Sequence, residues 1–133
     1  MKIDLSNKNR TVFELVKMMK YKNKAILFTG RAIEKKAAYI KELQLYYASK
    51  LTINTSTIPT VLPETVRLVI AENVTSKKSL NKWYKLHTEG FTSEIGPHRK
   101  VTPHLVIVTS IEKDKLNSFR PEILGSFEFI ELS

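Results

Sequence analysis

The sequence predicts an α/β domain of three layers, a mostly parallel central sheet of about five strands with helices on both faces. Three observations carry this expectation. Strand-length apolar runs recur at Lys24–Thr29, Thr65–Asn73 and Thr102–Ser110. They are continuous rather than alternating, as expected of strands buried on both faces. Segments of helical period separate them. No internal repeat, low-complexity tract or linker divides the 133 residues, so residues 1–133 are expected to form one domain.

The elements follow in order. In "RTVFELVKMM", Arg10 to Met19, residues Val12, Phe13, Val16 and Met19 recur at helical spacing. Asn9 or Thr11 could cap this helix, and Glu14 falls in its first turn. "KAILFT" is the first strand. Arg31 to Ser49 reads as a long helix whose apolar face is Ala32, Ile33, Ala37, Ile40, Leu43 and Tyr47. "KLTINTST" alternates like a strand, and "IPTVLPET" reads as a loop because two prolines stand close together. "TVRLVIAEN" is the next buried strand. "SKKSLNKWYKLHTEG" is a helix capped by Ser76 or Ser79 and stopped by Gly90. "FTSEIGPHRKV" reads as a loop or short hairpin, and "TPHLVIVTS" as a β-branched strand. "EKDKLNSF" and "RPEILG" are short helices or turns, Pro121 suiting the first turn of the second. "SFEFIEL" closes the chain as a strand with Phe127, Phe129 and Leu132 expected on one face.

Composition bounds the function. Cysteine is absent, which excludes disulfides, a thiolate nucleophile and a cysteine zinc site. "MKIDLSNKNR" has no apolar core of a signal peptide, and no apolar run approaches membrane-spanning length. A soluble intracellular protein is expected, in the cytoplasm of a host or a nucleus, with no membrane partner. Lys and Arg number 22 against 13 Asp and Glu, a formal charge of +9. Such a surplus favours polyanions through counterion release, and it also serves solubility.

One junction invites a sharper reading. "AILFTGRAIEKKAAYIKEL" runs from a buried strand through Gly30 into a basic helix. Unpaired amides at a helix start, with a glycine that lets the backbone approach, form an anion site. The phosphate-loop spacing G-x-x-x-x-G-K-[ST] places Gly30 and Lys36 on the first glycine and the lysine. Lys35 stands at the second glycine and Ala37 at the metal-binding hydroxyl. An ordinary strand-to-helix corner accounts for the same residues. The next buried strand ends "LVIAEN", with Ala71 and Glu72 where two acids would stand. The third ends with Thr109 and Ser110 at a polar sensor position, and Arg120 follows.

This succession resembles the ATPase domain of superfamily 3 helicases, particularly the replication-initiator (Rep) proteins of small circular single-stranded DNA viruses and plasmids. The likeness is strongest over "KWYKLHTEGFTSEIGPHRKVTPHLVIVTSIEKDKLNSF". It implies a P-loop NTPase-like fold and a viral or plasmid replication role. It also implies phosphate or nucleotide contacts at Lys36, Glu72, Ser110 and Arg120, and nucleic-acid contacts at Arg99 and Lys100 on the basic loop. Such a protein would assemble as a homo-oligomer or dock on a helicase ring. The departures at Lys35, Ala37, Ala71 and Ile111 remove the groups that hold Mg²⁺ and orient water. They point to a nucleic-acid-binding protein without ATP hydrolysis, no catalytic residues and no cofactor, ATP with Mg²⁺ being the one that the layout would admit. "GRAIEKKAAYIKEL" is also similar to the turn and helix of Alba-type chromatin and RNA-binding proteins, over about fourteen residues.

Other clusters complete the reading. His87, His98 and His104 have no metal-ligand spacing, so no metal site is expected. His98 with Arg99 and Lys100, after Gly96-Pro97, forms a candidate phosphate-contacting tip. A solvated basic loop is the alternative. Lys77, Lys78, Lys82 and Lys85 surround Trp83 and Tyr84. Cations interleaved with aromatics suit single strands, although helical spacing of Leu80, Trp83, Tyr84 and His87 places Trp83 in the core. Tyr39, Tyr46 and Tyr47 are expected to serve packing or a partner. The expected ligand is nucleic acid, single-stranded DNA first and RNA second. Gly30, Arg31, Lys35 and Lys36 are its proposed contacts at the helix start.

Overall fold

The computed structural model describes residues 8–54, 58–111, 113–116 and 118–132. The elements run α1 (Lys8–Lys22), β1 (Ala25–Thr29), α2 (Ile33–Gln44), β2 (Lys50–Asn54), β3 (Val61–Leu62), β4 (Leu68–Val74) and α3 (Lys77–Glu89). Then follow β5 (Phe91–Ser93), β6 (Lys100–Val101), β7 (His104–Thr109), α4 (Lys113–Leu116), α5 (Pro121–Gly125) and β8 (Phe127–Glu131). A five-stranded sheet has the order β2-β4-β7-β1-β8, and every pair in it is parallel. A small sheet, β3-β5-β6, stands beside it. Among the described residues no helix is long and apolar enough to cross a membrane.

The continuous apolar runs are explained by two cores, one on each face of the large sheet. β1 is buried along its whole length. Its Ile26 and Phe28 enter a core with Val12, Leu15, Met18 and Met19 of α1 and Tyr39 and Leu43 of α2. Its Ala25 and Leu27 enter the opposite core with Leu80 and Trp83 of α3, Phe91 of β5 and Ile123 of α5. Full burial of a side chain as large as Phe28 or Phe91 stabilises by about 1.5–3 kcal/mol. α3 starts where Ser76 accepts a hydrogen bond from the Ser79 amide at 3.1 Å, and stops at Gly90, whose φ of +82° favours glycine.

Several expectations need correction. A first strand flanked by Val66–Ala71 and Leu105–Thr109 would favour the helicase kinship; instead β1 lies between β7 and β8, and β7 separates it from β4. All these strands are apolar throughout, so hydrophobicity carries no information on their order. The proline-flanked stretch is not all loop, because Val61–Leu62 pairs with β5. Pro59 and Pro63 lie just outside that two-residue strand, so neither removes a ladder donor from it. α2 is shorter than expected, and it turns Lys36, Tyr39 and Leu43 inward while Ile33 is 77% exposed. Leu132 packs with Ile130 rather than with Phe127 and Phe129, as the two-residue period of a strand requires. The end of the expected "KLTINTST" strand, positions 55–57, lies outside the described residues.

Candidate functional site

Two concave features lie where functional residues were expected. The first is a cleft of about 320 Å³ beyond the carboxyl ends of β4 and β7, lined by Ile33, Lys36, Ala37, Ile40, Glu72, Asn73, Thr75, Val108, Thr109 and Ser110. Ligands of open α/β sheets bind in such crevices. It unites Lys36, Glu72 and Ser110, which stand more than thirty residues apart in sequence. Asn73 and Thr75 escaped the sequence reading. Asn73 has φ +58° at a register shift between β4 and β7, a conformation that asparagine tolerates. The asparagine directly after "LVIAE" was the available signal.

The cleft is not arranged as a phosphate loop. α2 already begins at Ile33, so only residues 30–32 join it to β1. Gly30 has φ +95°, and a Cβ placed there would lie 2.1 Å from the Leu132 carbonyl oxygen. That carbonyl accepts a hydrogen bond from the Ala32 amide at 3.0 Å. Leu132, just after β8, thus sets its carbonyl against the loop before α2 and engages the Ala32 amide there. Lys36 is 6% exposed, and its Nζ donates to the Thr109 carbonyl at 3.2 Å. Burial lowers the pKa of Lys36. Arg31 and Lys35 are exposed and do not line the cleft. Arg120, at the start of α5, lies instead in a separate depression with Asn81, Tyr84, Lys85, Glu122 and Ile123.

The second feature is a groove of about 660 Å³ between α3 and the small sheet, lined by Ile58, Thr60, Lys78, Ser79, Lys82, Lys85, Leu86, Glu89, Gly90, Thr92 and Lys100. Four of the expected nucleic-acid contacts therefore share one concave surface. The others are placed differently. Lys77 turns away, hydrogen-bonded to Ser118 and 5.6 Å from the centre of the Phe119 ring. The Arg99 guanidinium pairs with Glu64 at 3.3 Å, and Ser93 also donates to Glu64, at 2.9 Å. The hydrogen bonds from Ser93 and Arg99 hold the Glu64 carboxyl below its ordinary pKa. His98 is exposed at the turn of the hairpin. Thr60, Ser79 and Thr92 add hydroxyls to the groove that the sequence reading missed, because nothing in their local spacing relates them.

The remaining candidates are structural. The Tyr47 hydroxyl and His104 Nδ1 are hydrogen-bonded at 2.6 Å, and burial pushes the phenol up to about 12. His87 Nε2 donates to the Asn23 carbonyl at 2.9 Å. Burial lowers both imidazoles, with further lowering of His104 by the charges of His87 and Lys20. Trp83 is fully buried and Tyr39 lies against Phe28, whereas Tyr46 is exposed. Among the described residues no group of three or more acidic or histidine side chains could hold a metal ion.

No family model matches the chain, and no curated protein matches it. Solved structures do. NtrX from Brucella abortus in complex with ATP superposes with a TM-score of 0.58 at 13% identity, covering 100% of this chain and 37% of NtrX. NtrX in complex with ADP gives a TM-score of 0.52 at 12% identity, covering 98% of this chain and 38% of that one. The chain thus spans under two-fifths of the NtrX length. At such identity the likeness concerns the fold alone, an α/β architecture with a parallel central sheet.

Proposed function

We propose that the chain is a P-loop-like protein that binds nucleic acid through the α3 groove and does not turn over ATP. One observation carries the reading. Lys78, Lys82, Lys85 and Lys100 come from a helix and a hairpin and line a single groove. Cations converging on one concavity raise the local concentration of a polyanion more than the same charges scattered over a surface. The sequence resemblance to Rep-type helicases favours single-stranded DNA as ligand and replication as setting, although the strand order, with β7 between β1 and β4, is not the one that would favour that kinship.

The cleft supports the absence of turnover. Ala37 offers no hydroxyl and Ala71 no carboxylate to a magnesium ion, and Lys36 is engaged by Thr109. Electrostatic stabilisers of this kind are each worth roughly 10²-fold or more in rate. The deciding experiment is anisotropy of a labelled single-stranded oligonucleotide titrated with the protein at low salt. Saturable binding that weakens on salt addition is expected; no binding at low salt would overturn the proposal.

A second reading, residual nucleotide binding, is favoured by the convergence of Lys36, Glu72 and Ser110 on one cleft, and by the nucleotides held by both NtrX structures. Calorimetric titration of ATP with and without Mg²⁺ separates the two. Magnesium-dependent heat would establish the second reading, and no heat would leave the groove as the site.

A further inference from the structure

We infer that the α3 groove holds a single strand by its phosphates alone, with the bases turned out to solvent, so that binding is independent of sequence. The inference rests on the proposed nucleic-acid reading and narrows it to a class of ligand and a mode of recognition.

The spacing on α3 comes first. Lys78, Lys82 and Lys85 are four and three residues apart, and a rise of 1.5 Å per residue separates their backbones by about 6 and about 4.5 Å along the axis. At 3.6 residues per turn they lie within about 60° of arc, so three ammonium groups form a short track on one helix face. Glu89 continues that face one turn beyond Lys85, and its carboxylate ends the track. Lys100 supplies a cation from the opposite wall.

The groove has no platform for bases. Proteins that hold single strands through bases present aromatic rings on which bases stack. Among the described residues no aromatic side chain lines this groove. The rings nearest in sequence do not line it. Trp83 is fully buried and Phe91 nearly so, the two rings 6.4 Å apart, while Tyr84 stands edge-on to Phe127. Beside the lysines the lining includes Thr60, Ser79 and Thr92, whose hydroxyls can donate to phosphate oxygens, and the aliphatic Ile58 and Leu86, which offer no ring to a base.

Shape selects the single strand. The groove runs between a helix and a small sheet, and its roughly 660 Å³ falls within the range of ligand-binding clefts. One backbone enters such a cleft. A duplex, wider and stiffer than one backbone, is expected to reach fewer of the four lysines.

The test is competition for a labelled mixed-sequence single strand by three unlabelled competitors of equal length: the same strand, an abasic strand, and a duplex. The abasic strand is expected to compete within about 3-fold of the base-bearing one, and the duplex at least 10-fold less well. Stacked bases would each contribute a factor of about 5 to 150. An abasic strand weaker by 10-fold or more would overturn the inference while leaving the proposed function standing. A duplex that competes as well as the single strand would refute the argument from shape in the same way. Failure of the labelled strand itself to bind would sink the proposed function and the inference with it.

Discussion

Replacing Lys78, Lys82 and Lys85 together by alanine should flatten the salt dependence of binding to a single strand. Each phosphate neutralised on a single strand contributes about 0.7 to the slope of log affinity against log salt. Four groove lysines each engaging one phosphate give a slope of about −2.8, which is roughly a 50-fold loss of affinity between about 50 and about 200 mM salt. With Lys100 alone remaining, the slope falls to about −0.7 and the same salt step costs under about 3-fold. The assay is anisotropy at four or five salt concentrations, wild type and variant side by side. The control removes the same charge elsewhere, at Lys17, Lys22 and Lys41, which are exposed on α1 and α2 and do not line the groove. If groove and control variants flatten the slope equally, the +9 charge acts only as a diffuse cloud, and the argument from convergence fails.

Four other outcomes are expected. Lys36→Ala should leave the salt slope unchanged within about 0.2, because the Lys36 ammonium is held by the Thr109 carbonyl rather than offered to a ligand. Gly30→Ala should destabilise by about 3 kcal/mol or more, lowering Tm by about 10 °C on thermal unfolding, since positive φ and a Cβ against the Leu132 carbonyl add their costs. Thr29→Val should raise stability by about 1 kcal/mol in urea titration, because the Thr29 hydroxyl is buried with no hydrogen-bond partner. Stability should fall as pH drops below about 6.5, the unfolded value for histidine. His87 and His104 have lowered pKa values in the fold, so the unfolded chain takes up their protons first. Tm measured from pH 7.5 to 5 checks this, and His104→Gln should reduce the fall.

Some of this architecture is written in local patterns. The burial of β1, β4 and β7 follows from continuous apolar runs, and the start and stop of α3 from Ser76 and Gly90, because the residues involved act on their own neighbourhood. The core position of Trp83 follows from helical period in the same way. The candidate contacts on α3 were legible for a similar reason: the spacing of Lys78, Lys82 and Lys85 sets their common face once the helix exists.

What the tertiary structure alone decided are the relations between distant segments. Arg99 and Lys100 are adjacent basic residues of one hairpin, indistinguishable by charge. Glu64, thirty-five positions away from Arg99, engages one and leaves the other to the groove. Lys36 fits the spacing of a phosphate-binding lysine, yet the end of β7 supplies a carbonyl for its ammonium, and the Leu132 carbonyl meets the loop before it. Hydrophobic patterning determined that an α/β protein would form, and composition that it would be basic. Which cations face outward was decided by packing, since a long side chain settles on whichever partner the folded backbone brings within a few ångströms, and that partner has no fixed distance along the chain.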